Sequence, residues 1–277
     1  MYIKKIHTII KIFQIEGFWT GLNYIFIKLK IPIYFNDVKK SEILKFLEKC
    51  KIYDTGHKLI RVGPKLDGGY LVPDILNEIN YCYSPGVGES LKFEDDLYNK
   101  YNIKCHTADG MIEKPNTIHN FINKNIGLEN SDTEIRLESW INLNTNENQN
   151  LMLQMDIEGF ELGVLLNTPQ NILKKFKIMV IEFHNFTDIR TKLGISIYDT
   201  LFKKILEDHV ICHCHPNNMG GQILINGIKI PRIVEFTFIN KKLIKKKEKI
   251  NYILPHPLDI KNYSAAPEIY LDKIFYS

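Results

Sequence analysis

The sequence lacks several features that would assign it to a simple class of protein. It has no stretch of about 18 uninterrupted apolar residues, so we expect no transmembrane helix. No small-residue cleavage site follows a compact apolar core near Lys4 and Lys5, so we also expect no signal peptide. Internal repeats and low-complexity tracts are absent too, which excludes solenoid and fibrous architectures.

The chain also has few cysteines and a small net charge. The five cysteines contain no CxxC pair and are odd in number, which favours free thiols in a reducing compartment and hence a cytoplasmic protein. The segment Cys212-His213-Cys214-His215 has the composition of a metal motif. However, alternate residues of a strand face opposite sides, so one ion does not easily reach all four. The net charge of +4 is too small to indicate a nucleic acid partner.

What the 277 residues do contain is a succession of apolar runs and amphipathic segments, consistent with one large α/β domain and an extension. The runs predict six strands, at residues 79–83, 104–108, 151–156, 177–183, 210–215 and 233–239. Helices are predicted at residues 93–101, 161–166 and 197–207, and Ser41 is a candidate cap for an earlier one. No helix separates the last two strands, which predicts an antiparallel hairpin at the sheet edge.

Residues 1–40 form the predicted helical extension, and residues 41–277 the predicted domain. Apolar residues recur in the extension at roughly helical spacing, among them Ile9, Ile12, Phe13, Ile15 and Trp19. One interpretation is a helix that packs on the domain or on a second subunit, which allows a homodimer. The other is a helix on an anionic membrane surface, which would make the protein peripheral to the inner face of the membrane.

The most informative segment follows the apolar run 151–155 and reads Asp156-Ile157-Glu158-Gly159. A parallel strand covered on both faces is apolar throughout, and ligands of open α/β sheets lie just outside the carboxyl ends of such strands. Acidic residues at this position are costly unless they bind something. Asp156 and Glu158 therefore mark an edge of the predicted active site.

A glycine-rich turn lies between the first predicted strand and its helix. Gly86 and Gly88 would let the backbone approach a nucleotide-type ligand, and Asp109, at the end of the next strand, is placed to hold a ribose. Leu91 occupies the position at which a dinucleotide fingerprint needs a third glycine or alanine, and no P-loop motif occurs. The turn therefore favours neither a nicotinamide nor a nucleoside triphosphate.

Four segments together resemble the FkbM-type methyltransferases, and the resemblance covers about residues 58–240. They are Arg61-Val-Gly-Pro-Lys-Leu-Asp-Gly-Gly-Tyr70, Ser84-Pro-Gly-Val-Gly88 with Phe93-Glu94, Met155-Asp-Ile-Glu-Gly159, and Ile181-Glu-Phe-His184. The Asp-Ile-Glu-Gly and Asp-Gly-Gly-Tyr elements are the most specific. The first-strand loop differs from the common pattern, because Ser84-Pro85 stands where an aspartate usually precedes the glycines.

The resemblance implies an α/β Rossmann-like class I methyltransferase sheet of seven strands, the last one antiparallel, with S-adenosylmethionine as the methyl donor. It also implies O-methylation of a sugar hydroxyl on a sugar nucleotide or glycan, in capsule or lipopolysaccharide biosynthesis of a bacterial surface. The residues assigned to the cofactor are Tyr70, Gly86, Gly88, Glu94 and Asp109, with Glu94 as the partner of the cofactor's ammonium group. The alternatives are a nucleotide-cofactor oxidoreductase and a sugar-nucleotide-binding module without methyl transfer.

Methyl transfer to an alcohol requires that its proton be removed. His184 is our first candidate for the base, because imidazole titrates near neutrality, and His215 is the second. Asp156 would orient the base, or would bind Mg²⁺ or Mn²⁺ together with Glu182 and His184. The candidate substrate contacts are Glu158, Asn217 and Asn218. The structural alternatives are a helix cap at Asp156 and hydrogen-bonded structural roles for His184 and His213.

Overall fold

The computed structural model describes residues 36–88, 90–145 and 149–276. Its strands, in chain order, are β1 (Tyr53–Asp54), β2 (Leu59–Val62), β3 (Tyr70–Pro73), β4 (Tyr81–Pro85), β5 (Lys104–Ala108), β6 (Asn120–Ile122), β7 (Asn125–Gly127), β8 (Glu134–Arg136), β9 (Leu151–Met155), β10 (Phe176–Phe183), β11 (His209–Pro216), β12 (Gln222–Ile225), β13 (Ile228–Pro231), β14 (Val234–Asn240) and β15 (Glu248–Lys249). The α-helices are α1 (Lys40–Leu47), α2 (Lys92–Tyr101), α3 (Leu137–Asn144), α4 (Glu161–Asn167), α5 (Gln170–Leu173) and α6 (Lys192–Asp208).

Seven strands form one sheet in the order β11-β14-β10-β9-β4-β5-β6. Neighbouring strands from β6 to β10 run parallel, while β14 is antiparallel to both β10 and β11. This order, with one antiparallel strand inserted beside the last parallel one, defines the Rossmann-like class I methyltransferase fold. The predicted fold class is confirmed, but a fold of this kind does not fix a function.

The carboxyl ends of β4, β5, β9 and β10 lie at one edge of the sheet. The reversal in strand order falls beside β4 and β9, where open α/β sheets bind their ligands. β9 is buried along its whole length and β10 along nearly all of it, which explains why both read as apolar runs in the sequence.

The sheet is covered by helices whose aromatic side chains fix the position of β10. Phe202 of α6 lies 5.4 Å from the ring of Phe46 in α1 and 5.3 Å from that of Phe236 in β14. Thr191 caps α6 by accepting a hydrogen bond from the Gly194 amide, so this helix begins five residues before the predicted start. Phe202 also lies 5.5 Å from the ring of Phe183, the last residue of β10, so α6 packs against the strand that carries Glu182 and precedes His184.

The predicted antiparallel pairing of the last two strands is confirmed, because β14 pairs antiparallel with β11 at the edge of the sheet. The two are not joined by a short turn, since the hairpin β12–β13 separates them in sequence, and β14 also pairs with β10 on its other side. Two other expectations about the fold are corrected. Ser41 does not cap α1, which begins at Lys40; instead the Glu42 carboxylate accepts a hydrogen bond from the Lys39 amide. The segment 111–136 contains the short strands β6 and β7, which its polar sequence did not predict.

Most of the predicted extension, residues 1–35, lies outside the described residues, as do the membrane and subunit contacts predicted for it. Among the residues that the structure describes, no helix is long and apolar enough to cross a membrane. All five cysteines are buried and unpaired.

Candidate functional site

The turn after β4 contains two glycines with different roles. Gly86 has φ +81°, and a Cβ atom there would lie 1.5 Å from the Asp156 carbonyl oxygen, so only glycine fits where the ends of β4 and β9 meet. Gly88 has φ +54°, but a Cβ atom there would meet nothing within 4 Å. The space beside Gly88 is therefore open to a ligand.

Two cavities adjoin at this turn and share Gly86, Gly88, Asp156 and Glu158 in their walls. Cavity A has a volume of about 350 Å³, and its further lining includes Asp109, Met111, Ile112, Asn125, Ile126 and Phe160. Cavity B has a volume of about 300 Å³, and its further lining includes Asp67, Tyr70, Phe93, Glu94 and Gln154. Neither cavity has a lysine or arginine in its described lining.

Asp109 shapes the wall of cavity A. Its Oδ2 accepts a hydrogen bond from the Gly88 amide at 3.0 Å, and its Oδ1 accepts one from the Met111 amide at 2.7 Å. The carboxylate is thereby held at the carboxyl end of β5, as the sequence predicts for a ribose-binding acid. Each oxygen has a second lone pair that can accept from a ligand hydroxyl.

Glu94 is the buried acid of cavity B. The Ser84 hydroxyl donates to Glu94 Oε1, while Glu94 Oε2 is buried and has no hydrogen-bond partner among the described residues. Burial raises the pKa of Glu94 to about 7, and the hydrogen bond from Ser84 opposes this rise. The Ser84 hydroxyl is also in hydrogen-bonding contact with Gln154 Oε1, and Gln154 Nε2 donates to the Tyr70 hydroxyl at 3.3 Å, so Ser84 belongs to a polar network along this wall.

The loop after β9 is organised by Glu161, which the sequence analysis did not identify as a site residue. This side chain is fully buried, and its Oε1 accepts hydrogen bonds from the Ile157 and Gly159 amides at 3.1 and 3.0 Å. The loop contains a strained residue, because Glu158 has φ +55° without being glycine. Glu161 therefore fixes the backbone that presents Asp156 and Glu158 to both cavities.

His184 lies between these acids. Its Nδ1 is 3.1 Å from Glu161 Oε1, and its Nε2 is 3.4 Å from Glu158 Oε2 and 3.8 Å from Asp156 Oδ1. Burial alone would lower the pKa of His184, but the hydrogen bond to Glu161 and the negative charges of its acidic neighbours outweigh it and raise the pKa. Burial also raises the pKa of Asp156 to about 7, and the positive charge of His184 opposes this rise.

The three residues predicted to bind a metal do not form one group. Asp156 and His184 cluster with Glu161, whereas Glu182 clusters with Asp67 and Glu235. Glu182 Oε1 still lies 3.8 Å from His184 Nε2, so the two groups are neighbours. Sequence spacing could not separate them, because Asp67 and Glu235 reach the site from distant parts of the chain.

The second candidate base, His215, is poorly suited to that role. It is buried between Glu235 and Glu268, at 3.6 and 3.5 Å, and these acids raise its pKa to about 10 against the effect of burial. The raised pKa favours the protonated form of His215 at neutral pH, and that form is a poor proton acceptor. His213 is also buried, and its Nε2 lies 2.9 Å from Asp259 Oδ1, which agrees with the structural alternative for this residue.

The two asparagines predicted to contact substrate have different surroundings. Asn217 donates to Glu182 Oε1 at 3.0 Å and so joins the acidic group. Asn218 instead donates to the carbonyl groups of Tyr263, Ala266 and Pro267 and accepts from the Tyr263 amide. The side chain of Asn218 therefore holds the C-terminal segment in place, which is a structural role.

Comparison with known proteins gives little beyond the fold. No family model matches the chain, and no curated protein matches it. Among solved structures, the chain is similar to the plantazolicin methyltransferase BpumL in complex with SAH, at 13% identity over 58% of this chain and 76% of that one, with a TM-score of 0.30. It is also similar to the mitomycin 7-O-methyltransferase MmcR, at 6% identity over 71% of this chain and 53% of that one, with a TM-score of 0.29. Similarity this low carries no functional argument, so the fold assignment rests on the strand order.

Proposed function

We propose that the protein is an S-adenosylmethionine-dependent methyltransferase. The observation that carries the proposal is the pair of cavities joined at Gly86 and Gly88. One contains a carboxylate at the end of β5, and the other contains a buried carboxylate oxygen without a partner. The cofactor is a nucleoside joined to an amino acid. It needs an acceptor for its ribose hydroxyls on one side of the turn and a negative partner for its ammonium group on the other.

The chain's residues fit such a cofactor. Asp109 would accept hydrogen bonds from the ribose hydroxyls, the open space at Gly88 would admit the ligand against the backbone, and Glu94 Oε2 would pair with an ammonium group. When bound, the cofactor supplies a methyl group on a cationic sulfonium. Among the residues that the structure describes, both cavities are lined by acids and by no lysine or arginine. Such a lining suits that positive charge and disfavours the diphosphate of a dinucleotide, which argues against the oxidoreductase alternative.

For the acceptor we propose a sugar hydroxyl, so that the reaction is O-methylation. The sequence resemblance supports a surface polysaccharide such as capsule or lipopolysaccharide. The acidic lining favours a neutral glycan over a sugar nucleotide, because a diphosphate would be repelled by Asp67, Asp156 and Glu158. Carboxylates are also good acceptors for the hydroxyl groups of a sugar.

His184 is the proposed base. Glu161 accepts a hydrogen bond from Nδ1–H of the neutral imidazole, which leaves the lone pair on Nε2, the nitrogen that faces Asp156 and Glu158. Nε2 would take the proton of the acceptor hydroxyl as the oxygen attacks the methyl carbon. The neighbouring carboxylates would then stabilise the imidazolium ion that forms, following the logic of a carboxylate–histidine pair.

Calorimetric titration with S-adenosylhomocysteine and with NAD tests the class of cofactor. We expect binding of the former only, and binding of NAD alone would overturn the proposal. A panel of neutral glycans and sugar nucleotides, read out by transfer of a labelled methyl group, then tests the acceptor. Methylation of only protein or lipophilic acceptors would overturn the sugar assignment while preserving the enzyme class. Cofactor binding without turnover of any acceptor would favour a binding module.

A further inference from the structure

Three carboxylates from distant parts of the chain meet beside the cleft, and the proposed methyl transfer assigns them no role. Asp67 comes from the turn between β2 and β3, Glu182 from β10 and Glu235 from β14, and an oxygen atom of each lies within 4.8 Å of the others. Glu182 and Glu235 are directly opposite each other in the antiparallel register and are only 3% and 5% exposed. We call Asp67, Glu182 and Glu235 the triacid group.

Glu182 and Glu235 are buried and Asp67 is exposed, and carboxylates this close repel one another unless one is protonated or a cation lies between them. Burial and the neighbouring acids raise the pKa of Glu182 accordingly. Among the described residues, no lysine or arginine forms an ion pair with any of the three. The cationic groups that face them are histidines: His215 Nδ1 lies 3.6 Å from Glu235 Oε2, and His184 Nε2 lies 3.8 Å from Glu182 Oε1. Arg61 is nearby but donates to the carbonyl groups of its own loop.

Two asparagine amides hold the triacid group in place. Asn217 Nδ2 donates to Glu182 Oε1 at 3.0 Å, and Asn262 Nδ2 donates to Asp67 Oδ1 at 2.9 Å and to Glu235 Oε1 at 2.6 Å. These bonds also fix the orientation of the Asn262 amide, because its oxygen would repel the two carboxylates if the amide were flipped.

Two buried oxygen atoms then remain without a donor. They are Glu182 Oε2 and Asn262 Oδ1, and Asn262 is only 5% exposed. A buried acceptor without a partner is costly, and it indicates a missing proton donor or a cation. Asn262 is uncharged, and its free oxygen is a second buried acceptor beside the two carboxylates that its amide nitrogen bridges.

We propose that the triacid group and Asn262 Oδ1 bind a hard divalent cation, Ca²⁺ or Mn²⁺. All the candidate ligand atoms are oxygens, which such ions prefer. Ligands at about 2.3–2.6 Å from one Ca²⁺ ion are at most about 5 Å apart, which accommodates the spacing of 4.8 Å among the oxygens of the three carboxylates. Mg²⁺ usually keeps several waters and takes one or two carboxylates, so a site with three carboxylates and an amide oxygen fits it less well.

This cation site differs from the neighbouring group of Asp156, Glu161 and His184, because that group would contribute an imidazole nitrogen. The distinction gives a test that does not require methyl transfer. The full chain is first treated with chelator and then titrated with Mn²⁺, with binding followed by electron paramagnetic resonance and by calorimetry. We expect one bound Mn²⁺ per chain, without the nitrogen coupling of a directly bound imidazole, and competition by Ca²⁺.

The isosteric variants Glu182→Gln and Glu235→Gln should each weaken Mn²⁺ binding at least about tenfold. Asp156→Asn, which removes an acid of the neighbouring group, should have a smaller effect than either. Thermal unfolding without metal checks that the variants remain folded. In the wild type, unfolding with Ca²⁺ should show a rise in Tm that both glutamine variants lose.

Three results would overturn the proposal: no binding of Mn²⁺ or Ca²⁺ at millimolar concentration, strong imidazole coupling to bound Mn²⁺, or loss of binding in Asp156→Asn but in neither glutamine variant. Because all of these readouts measure ion binding, a protein that binds Mn²⁺ without methylating any acceptor would support this inference and count against the proposed function.

Discussion

At the scale of single residues, the buried carboxyl group of Glu94 should couple cofactor binding to pH. Its pKa is raised to about 7 by burial, so it is largely protonated in mildly acid solution, whereas an ammonium group needs the carboxylate. The affinity for S-adenosylhomocysteine should therefore increase as pH rises from about 6 to about 8. Glu94→Gln should weaken binding by about 1–3 kcal/mol at the upper pH and reduce the dependence, of which Asp156, whose pKa is also raised to about 7, would supply the remainder. Calorimetry across this range measures both effects.

Asp95 provides the control for Glu94. It follows Glu94 in α2, but its side chain is 51% exposed and pairs with His119. Asp95→Asn should keep the wild-type affinity at the upper pH and remain pH-dependent, with the midpoint moved slightly to lower pH because the charge of Asp95 contributes to the raised pKa of Glu94. If Glu94→Gln also kept the full pH dependence, the assignment of Glu94 to the ammonium group would be wrong.

Gly88 offers a second test, because the stability cost of a side chain at its left-handed backbone can be measured separately from the effect of that side chain on ligand binding. Gly221 has a similar φ of +67°, and a Cβ atom there would also meet nothing within 4 Å, but it lines neither cavity. Gly88→Ala and Gly221→Ala should each lose about 1–2 kcal/mol of unfolding free energy from the left-handed backbone. Only Gly88→Ala should also weaken the binding of S-adenosylhomocysteine. Equal affinities in the two variants would show that no ligand approaches Gly88.

At the scale of elements, the loop between β9 and α4 depends on Glu161, which also contacts His184. Removal of the negative charge in Glu161→Gln should lower the pKa of His184, because the hydrogen bond and charge of Glu161 are the main factors that raise it. Titration of the imidazole by nuclear magnetic resonance measures this pKa. The ascending limb of the kcat profile should move to lower pH with it, a result that a purely structural role would not produce.

Glu158→Gln is the matched comparison, because Glu158 also lies near His184 but its side chain is 86% exposed. Solvent screens its charge, so its loss should shift the pKa of His184 less. His184→Ala should lower kcat by about 10²–10⁴ and leave cofactor affinity nearly unchanged. A fast His184→Ala variant would eliminate this residue as the base.

Elements with strong apolar patterns could be predicted from the sequence, whereas contacts made over long distances in the chain could not. β9 and β10 differ from their predicted bounds by one residue, because their largely apolar runs are buried on both faces. β5 also has its predicted bounds, although its sequence, Lys-Cys-His-Thr-Ala, is mixed in polarity. The polar segment that contains β6 and β7 gave no such signal. Glu161 could have been suspected, because it lies only two residues after the glycine of the Asp-Ile-Glu-Gly element.

The acidic group beside the cleft was less predictable still. Asn262 and Asp67 are hydrogen bonded although 195 residues separate them in the chain, and no local pattern encodes such a contact. His215 also illustrates the limit. Its position at the end of a strand suggested a base, but its two acidic partners, which make it a poor one, come from β14 and the C-terminal segment.

At the scale of the whole molecule, the charge of the cleft opposes the charge of the chain. The net charge is +4, yet cavity B is lined by Asp67, Glu94, Asp156 and Glu158 without a described lysine or arginine. Local charges govern binding within a Debye length, which is about 10 Å at 0.1 M salt. The cleft should therefore attract a cationic ligand even though the protein as a whole repels one.

This contrast predicts a difference between the methyl donor and its product. S-adenosylmethionine carries one more positive charge than S-adenosylhomocysteine, and that charge would lie near Asp156 and Glu158, which both cavities share. Raising the ionic strength should therefore weaken binding of the donor more than binding of the product, by a difference on the order of 1 kcal/mol in binding free energy. Calorimetry with both ligands at low and high salt measures this difference, and Glu158→Gln should reduce it. An equal response of the two ligands to salt, or a stronger response of the product, would show that the acidic cleft does not hold the sulfonium. The assignment of the ribose to cavity A and of the ammonium group to cavity B would then need to be revised.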